Sequence, residues 1–260
     1  MRNTLFEMRH VSKEFGGLTA VTDFCIEIES GEVVGLIGPN GAGKTTVFNL
    51  ASGFLPPTAG DVILHGELIT QFPAHQITAR GLARTFQNIK LFADMTVLEN
   101  VMVSFHYSIR STFIEAMLGL PKYRSEEIRI REKSLEYLEE LGLLHLSAEK
   151  AGNLPYGQQR KLEIARALAT QPILLLLDEP AAGMNPIETM ELAGLIRRIH
   201  DKYEVTVFLI EHDMKFVMGL CDRIKVIEYG HSIAEGLPHE IQNNPTVIKA
   251  YLGSGNYAQL

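Results

Sequence analysis

The residues best suited to chemistry begin at a run of glycines. Val33–Ile37 is apolar, and Gly38-Pro39-Asn40-Gly41-Ala42-Gly43-Lys44-Thr45-Thr46 follows it. The run fits G-x-x-x-x-G-K-[ST], with a strand pattern before it and a helical pattern, Thr46–Ser52, after it. The glycines let the backbone curl until successive N–H groups converge on phosphate oxygens. The helix N-terminus adds favourable partial charge for an anion. Lys44 then reaches β- and γ-phosphates, and Thr45 offers its hydroxyl to Mg²⁺. A second element is Ile173-Leu-Leu-Leu-Leu177-Asp178-Glu179-Pro180. So apolar a run suits a central parallel strand buried on both faces. Ligands of such sheets bind at the carboxyl ends of the strands, which sets Asp178 and Glu179 beside the phosphate loop. Asp178 suits coordination of Mg²⁺, and Glu179 suits a general base that activates an attacking water. Without the glycine loop, the same two acids would read equally well as the cap of a strand and turn.

The elements that must position these groups alternate between strand and helix, which favours an α/β fold with a substantially parallel sheet. Expected strands are Leu5–Val11, Phe24–Glu29, Val33–Ile37, Asp61–Leu64, Ala83–Gln87, Ile173–Leu177, Val205–Ile210 and Arg223–Glu228. The early and last strands read as antiparallel and turn-linked, around Gly16-Gly17, Gly31 and Gly230. From about residue 93 to 170 strand signals vanish. Ile128, Leu135, Leu138 and Leu141 there form one helical stripe, with Glu126, Arg129, Lys133 and Glu140 largely off it on a solvated face. Residues 254–260 read as a loose tail.

Composition sets the limits. With 260 residues, 46% apolar and 21% charged, the chain can bury a substantial core. A net charge of −7 argues against nucleic acid as a partner. The two cysteines, Cys25 and Cys221, form no CxxC pair and read as buried thiols. The nine histidines show no metal-ligand spacing. No apolar run approaches the roughly 20 residues that span a bilayer, so a membrane role would come through a partner.

Further motifs narrow the class. Asn153-Leu154-Pro155-Tyr156-Gly157-Gln158-Gln159-Arg160 opens a helix just upstream of the Asp178 strand. Gln87 lies in Arg84-Thr-Phe-Gln87-Asn, His212 follows the strand Val205–Ile210, and Phe15 precedes the first turn. Singly, such a Gln, His or Phe reads as structural; their order and spacing together do not. Over nearly its whole length the chain resembles an ATP-binding-cassette (ABC) ATPase. The resemblance implies a P-loop NTPase (RecA-like) core with an N-terminal antiparallel β subdomain and an inserted α-helical subdomain. One domain would then span 1–260, with 1–92 and 171–260 forming the α/β core and 93–170 the helical signature subdomain. It also implies ATP and Mg²⁺ as cofactors. Phe15 would stack on adenine, Gln87 would ligate Mg²⁺ or orient water, and His212 would contact the γ-phosphate. Tyr156, Gly157 and Gln158 would face the ATP held by another subunit, and Ala181-Ala-Gly-Met-Asn185-Pro186 would touch the opposite site, with Asn185 where Asp is commoner. Partners would be a second ATPase subunit, transmembrane permease subunits that dock near Leu91 and Phe92, and indirectly an extracytoplasmic binding protein. The place would be the cytoplasmic face of the bacterial plasma membrane. Leu-x-Tyr-Gly-Gln-Gln, Glu-Pro-Ala-Ala-Gly-Met-Asn-Pro and Arg-Thr-Phe-Gln-Asn resemble the ATPase subunits of branched-chain amino-acid importers, as does the long segment from Met102 to Arg124. A cassette serving another substrate, or one without a transport role, is the alternative.

One departure from the family pattern has a physical consequence. The usual signature has serine where this chain has Pro155. Proline supplies neither the capping hydroxyl nor a backbone N–H, and loss of an N-cap costs about 0.5–2 kcal/mol, although its fixed φ suits a helix start. The N–H groups of Tyr156 and Gly157 remain to face the anion. Pro155→Ser is therefore expected to strengthen ATP-driven dimerisation and raise turnover; equal values for the two proteins would show that backbone N–H groups suffice.

Overall fold

The computed structural model describes residues 3–105, 111–118 and 120–253. The tail read at 254–260 lies outside these, as does part of the segment Met102–Arg124. The chain divides into two compact units, Met1–Gln87 with Ile173–Leu260, and Asn88–Pro172.

The first unit carries two sheets. β1 (Thr4–Phe15), β2 (Leu18–Glu29), β4 (Ala59–Leu64) and β5 (Glu67–Leu68) form an antiparallel sheet in the order β2-β1-β4-β5. β3 (Val33–Ile37), β6 (Leu82–Arg84), β7 (Leu174–Asp178), β8 (Thr206–Ile210), β9 (Arg223–Glu228) and β10 (His231–Gly236) form the second, ordered β10-β9-β3-β8-β7-β6. Its first five members in chain order run parallel, and β10 folds back antiparallel on β9. Every residue of β3, β7 and β8 is buried, as unbroken apolar runs require. The intervening helices are α1 (Lys44–Ala51), α2 (Ala74–Ala79), α7 (Pro186–Tyr203) and α8 (Met214–Leu220), and α9 (Pro238–Gln242) and α10 (Pro245–Gly253) end the described chain.

One core joins the two sheets. Phe208 of β8 meets Phe48 of α1 at 4.9 Å and Phe6 of β1 at 6.4 Å between ring centroids, and all three are buried. The helix that follows the glycine loop is thereby anchored to β8 by apolar contact, and through Phe208 to the antiparallel sheet.

The second unit is helical: α3 (Val97–Ser104), α4 (Phe113–Met117), α5 (Pro121–Glu140) and α6 (Tyr156–Ala169). Thr96 and Glu99 form a reciprocal capping box that starts α3. Asn100, fully buried, ties down the preceding loop by accepting from Phe92 N and donating to the Phe92 and Thr96 carbonyls. Phe105 stacks on Tyr137 of α5 at 6.1 Å.

Several expectations need correction. Ile128 is 58% exposed; the buried face of α5 runs through Ile130, Ser134, Tyr137 and Leu138 to Leu141. Ser134 hid that face, because a serine interrupts an apolar stripe, yet its hydroxyl donates to Ile130 O at 2.7 Å and is satisfied inside. Gly31 does not join an antiparallel pair, since β2 and β3 lie in different sheets. The strand read at Ala83–Gln87 is Leu82–Arg84, after which Thr85 N donates to Leu176 O and the chain leaves the ladder. Cys221 is buried, whereas Cys25 is partly exposed, its sulfur accepting from His10 N at 3.2 Å. No helix among the described residues is long and apolar enough to cross a membrane.

Candidate active site

The glycine loop joins β3 to α1. Gly43 caps α1 in the left-handed region, φ 103°, with no side-chain cap. A Cβ at Gly43 would lie 2.6 Å from Ala20 O, and one at Gly38 would lie 2.1 Å from Ile227 O, so neither position admits a side chain. The turn between β9 and β10 braces the loop: Gly230 N donates to Ala42 O and Thr22 N to Gly230 O, each at 2.9 Å. Lys44 is buried, and its Nζ donates to Gly38 O at 2.7 Å and Pro39 O at 3.0 Å. Burial lowers its pKa, and the negative charges of Glu179, Asp178 and Glu211 oppose that shift. A cavity of about 400 Å³ opens over the loop, lined by Asn40 to Thr46 and Glu179. Leu18, Thr19, Ala20 and Tyr229 complete its wall. Phe15 ends β1, 45% exposed, its ring 5.2 Å from Lys13 Nζ; it is not among the lining residues.

The acidic partners emerge from the neighbouring strand ends. Asp178, the last residue of β7, is paired with Arg84 of β6 at 2.8 Å, and both side chains are almost wholly buried. Arg84 also donates to Asn49 Oδ1 and Ser52 Oγ, and its guanidinium lies 5.3–5.7 Å from the rings of Phe48, Phe54 and Phe86. Glu179 leaves the strand at φ 46°. Gln87 Nε2 donates to Glu179 Oε2 at 2.7 Å, and His212 Nδ1 lies 4.0 Å from Glu179 Oε1. Lys44, Gln87, Asp178, Glu179 and His212, scattered in sequence, thus meet where β3, β7 and β8 end.

The remaining candidates lie at the start of α6, at the start of α7 and before α3. Tyr156, Gly157 and Gln158 open α6, whose N-cap, Pro155, makes no side-chain capping bond. Gln158 N and Gln159 N both donate to Pro155 O at 3.0 Å. Arg160, buried and paired with Glu163 at 2.7 Å, donates to the Tyr156 hydroxyl at 3.3 Å. Asn185 caps α7: its Oδ1 accepts from Ile187 N and Glu188 N, and Glu188 Oε2 accepts from Asn185 N. Its oxygen is thus engaged within its own chain. Phe92 is 47% exposed, its ring 4.9 Å from the Arg166 guanidinium.

The donor set fits a nucleotide triphosphate with a hard cation. The first turn of α1 presents uncapped N–H groups and a lysine to the cavity, the arrangement that binds anions. Oxygen ligands of the type Mg²⁺ prefers come from Thr45, which lines the cavity, and from Asp178 and Gln87, which adjoin Glu179 of its wall in sequence and by hydrogen bond.

Residues 21–182 match the ABC transporter family, and residues 232–256 match a branched-chain amino acid ATP-binding cassette transporter family. The chain belongs to the ABC transporter family. It is 47% identical to the high-affinity branched-chain amino acid transport ATP-binding protein BraF of Pseudomonas aeruginosa, over 97% of this chain and 99% of that one. Identity to LivG of Escherichia coli K12, of the same description, is 46% over the same shares. A solved ATP-binding cassette of an ABC transporter in its ADP conformation superposes with a TM-score of 0.83 at 31% identity, covering 96% of this chain and 99% of that one. The cassettes of this family bind and hydrolyse ATP, and the two-sheet core described above is their P-loop NTPase fold.

Two residues of the site lie outside the expectations drawn from sequence, Arg84 and Glu211. Arg84 sits inside the quoted Arg84-Thr-Phe-Gln87 run, and Glu211 ends an apolar strand just as Asp178 does, so both carried a signal. Arg84→Met strands the Asp178 carboxylate in the core without its partner, and is expected to cost about 3–5 kcal/mol in urea unfolding. An unshifted unfolding midpoint would show that Asp178 is held by other groups.

Proposed function

We propose that this cassette is the ATP-hydrolysing subunit of an importer for branched-chain or related amino acids. The observation that carries the catalytic part is the meeting of Lys44, Asp178, Glu179 and His212 at the ends of β3, β7 and β8. In this reading the N–H groups of Gly41, Gly43, Lys44, Thr45 and Thr46, with Lys44 Nζ, cradle the phosphates. Gly38, Pro39, Asn40 and Ala42 shape that cradle, and Phe15 stacks on the base. Thr45, Gln87 and Asp178 would hold Mg²⁺, which would neutralise charge on the phosphate oxygens. Glu179 takes the proton of the attacking water, Gln87 orients its carboxylate, and His212 contacts the γ-phosphate. Phosphoryl transfer demands little covalent chemistry of a protein, so positioning and charge do most of the work.

Each chain carries one P-loop and one signature end. A full site therefore takes the P-loop of one chain and Tyr156, Gly157 and Gln158 of another, in a homo- or heterodimer closed by ATP. Closure draws on ATP's greater affinity for the closed state, and loss of the γ-phosphate reopens it. Permease subunits convert that motion into transport, fed by an extracytoplasmic binding protein, with the cassette peripheral on the cytoplasmic face. The substrate class follows from the descriptions of the relatives and the match at 232–256, not from residues of the site.

Glu179→Gln tests the chemistry: removal of a general base is expected to cut turnover by about 10²–10⁴-fold with ATP binding retained. An unchanged rate would place the base elsewhere. Reconstitution with permease subunits in vesicles tests the substrate, the expected result being ATP-dependent leucine or isoleucine uptake.

A further inference from the structure

We propose that Glu211 is a positioning residue of the hydrolytic site, joining the loop that carries Glu179 to the segment that carries His212. The inference rests on the ATPase reading above. β7 and β8 are neighbours in register, Asp178 opposite Ile210, so Glu179 and Glu211 leave the sheet side by side. Glu179 N still donates to Ile210 O at 3.0 Å. There the two chains turn away, Glu179 in the left-handed region that a non-glycine residue occupies only when its surroundings enforce it.

Glu211 is the group placed to enforce it. Only 1% exposed, it accepts from Ala181 N at 2.8 Å through Oε1 and from His212 N at 3.1 Å through Oε2. Asp213 N adds a third backbone hydrogen bond to the carboxylate, and His212 Nδ1 lies 3.8 Å from Oε2. Ala181 stands two residues past Glu179, within the turn closed by Ala182 N donating to Glu179 O at 3.1 Å. A single buried side chain thus pins both flanks of the pair Glu179–His212, which are themselves 4.0 Å apart.

The chemistry explains why this side chain is a carboxylate. Both oxygens face N–H donors, and only an acceptor-only group satisfies both sides. A glutamine would turn its NH₂ toward one of those N–H groups, and an aspartate would be one methylene short of bridging them. Burial raises the Glu211 pKa, and the backbone donors and the neighbouring His212 oppose that rise. Among the described residues Glu211 makes no hydrogen bond to the glycine loop; it acts on Lys44 only through its charge, which Glu211→Asp keeps and Glu211→Gln removes.

The test compares full-length wild type, Glu179→Gln, Glu211→Gln and Glu211→Asp for ATP affinity, kcat and thermal melting. A displaced catalytic group costs on the order of 100-fold in rate. The folded Glu211 variants should therefore lose kcat by about that factor while ATP affinity stays within about twofold of wild type. Wild-type kcat in both Glu211 variants would overturn the proposal. So would a parallel loss of affinity and kcat, or failure of both variants to fold, since each marks a general structural role. Failure of the ATPase reading is distinguishable: wild type would then lack turnover, or Glu179→Gln would match it.

Discussion

A charge can be buried in a protein interior only where neighbouring groups replace the water it loses, and the strand ends of this cassette are organised around that requirement. Asp178 has Arg84. Glu211 has backbone N–H groups on two flanks. Lys44 has the Gly38 and Pro39 carbonyls and three nearby carboxylates that oppose the loss of its charge. Each compensation draws on a different strand or loop, so satisfying the charges also fixes the relative positions of β3, β6, β7 and β8. The polar groups that serve ATP chemistry are in this sense part of the packing.

The apolar core supplies the rigid frame those charges need. Phe208 sits two residues before Ile210, where the β7–β8 register ends, and touches both Phe48 behind the P-loop and Phe6 of the antiparallel sheet. Movement of α1 would have to break that contact as well as the bond between Ala42 and Gly230. The loop geometry therefore rests on residues that never meet nucleotide. The same logic applies to α6, where buried Arg160 holds the Tyr156 hydroxyl at the helix start.

Much of this was legible in the sequence, for identifiable reasons. β3, β7 and β8 are unbroken apolar runs, so their burial and the placing of Lys44, Asp178 and Glu179 followed from composition and strand-end logic. β9 and the turn at Gly230 were equally plain. The two-residue β5 and the polar edge strand β10 carry little apolar signal, so no local pattern marks them as strands. The inward face of α5 is masked by Ser134, which interrupts the apolar stripe yet is satisfied inside by bonding back to Ile130. Side-chain partnerships across the sheet, Arg84 with Asp178 and Glu211 with Ala181, depend on register between strands far apart in the chain, which no local pattern encodes. Asn185-Pro186-Ile187-Glu188 carries the local pattern of a helix start, an N-cap with proline at the first position and glutamate at the third, so the cap of α7 was legible as well.

A chain with one P-loop and one signature end holds, in the proposed function, half of each of two sites. The central claim is that nucleotide closes two such chains on each other. Light scattering of the Glu179→Gln protein, alone and with its partner ATPase, with and without Mg·ATP, tests it most directly. A doubling of mass on addition of Mg·ATP and its reversal with Mg·ADP are expected. A mass that stays at one chain under both conditions, with ATP shown to be bound, would contradict the shared site.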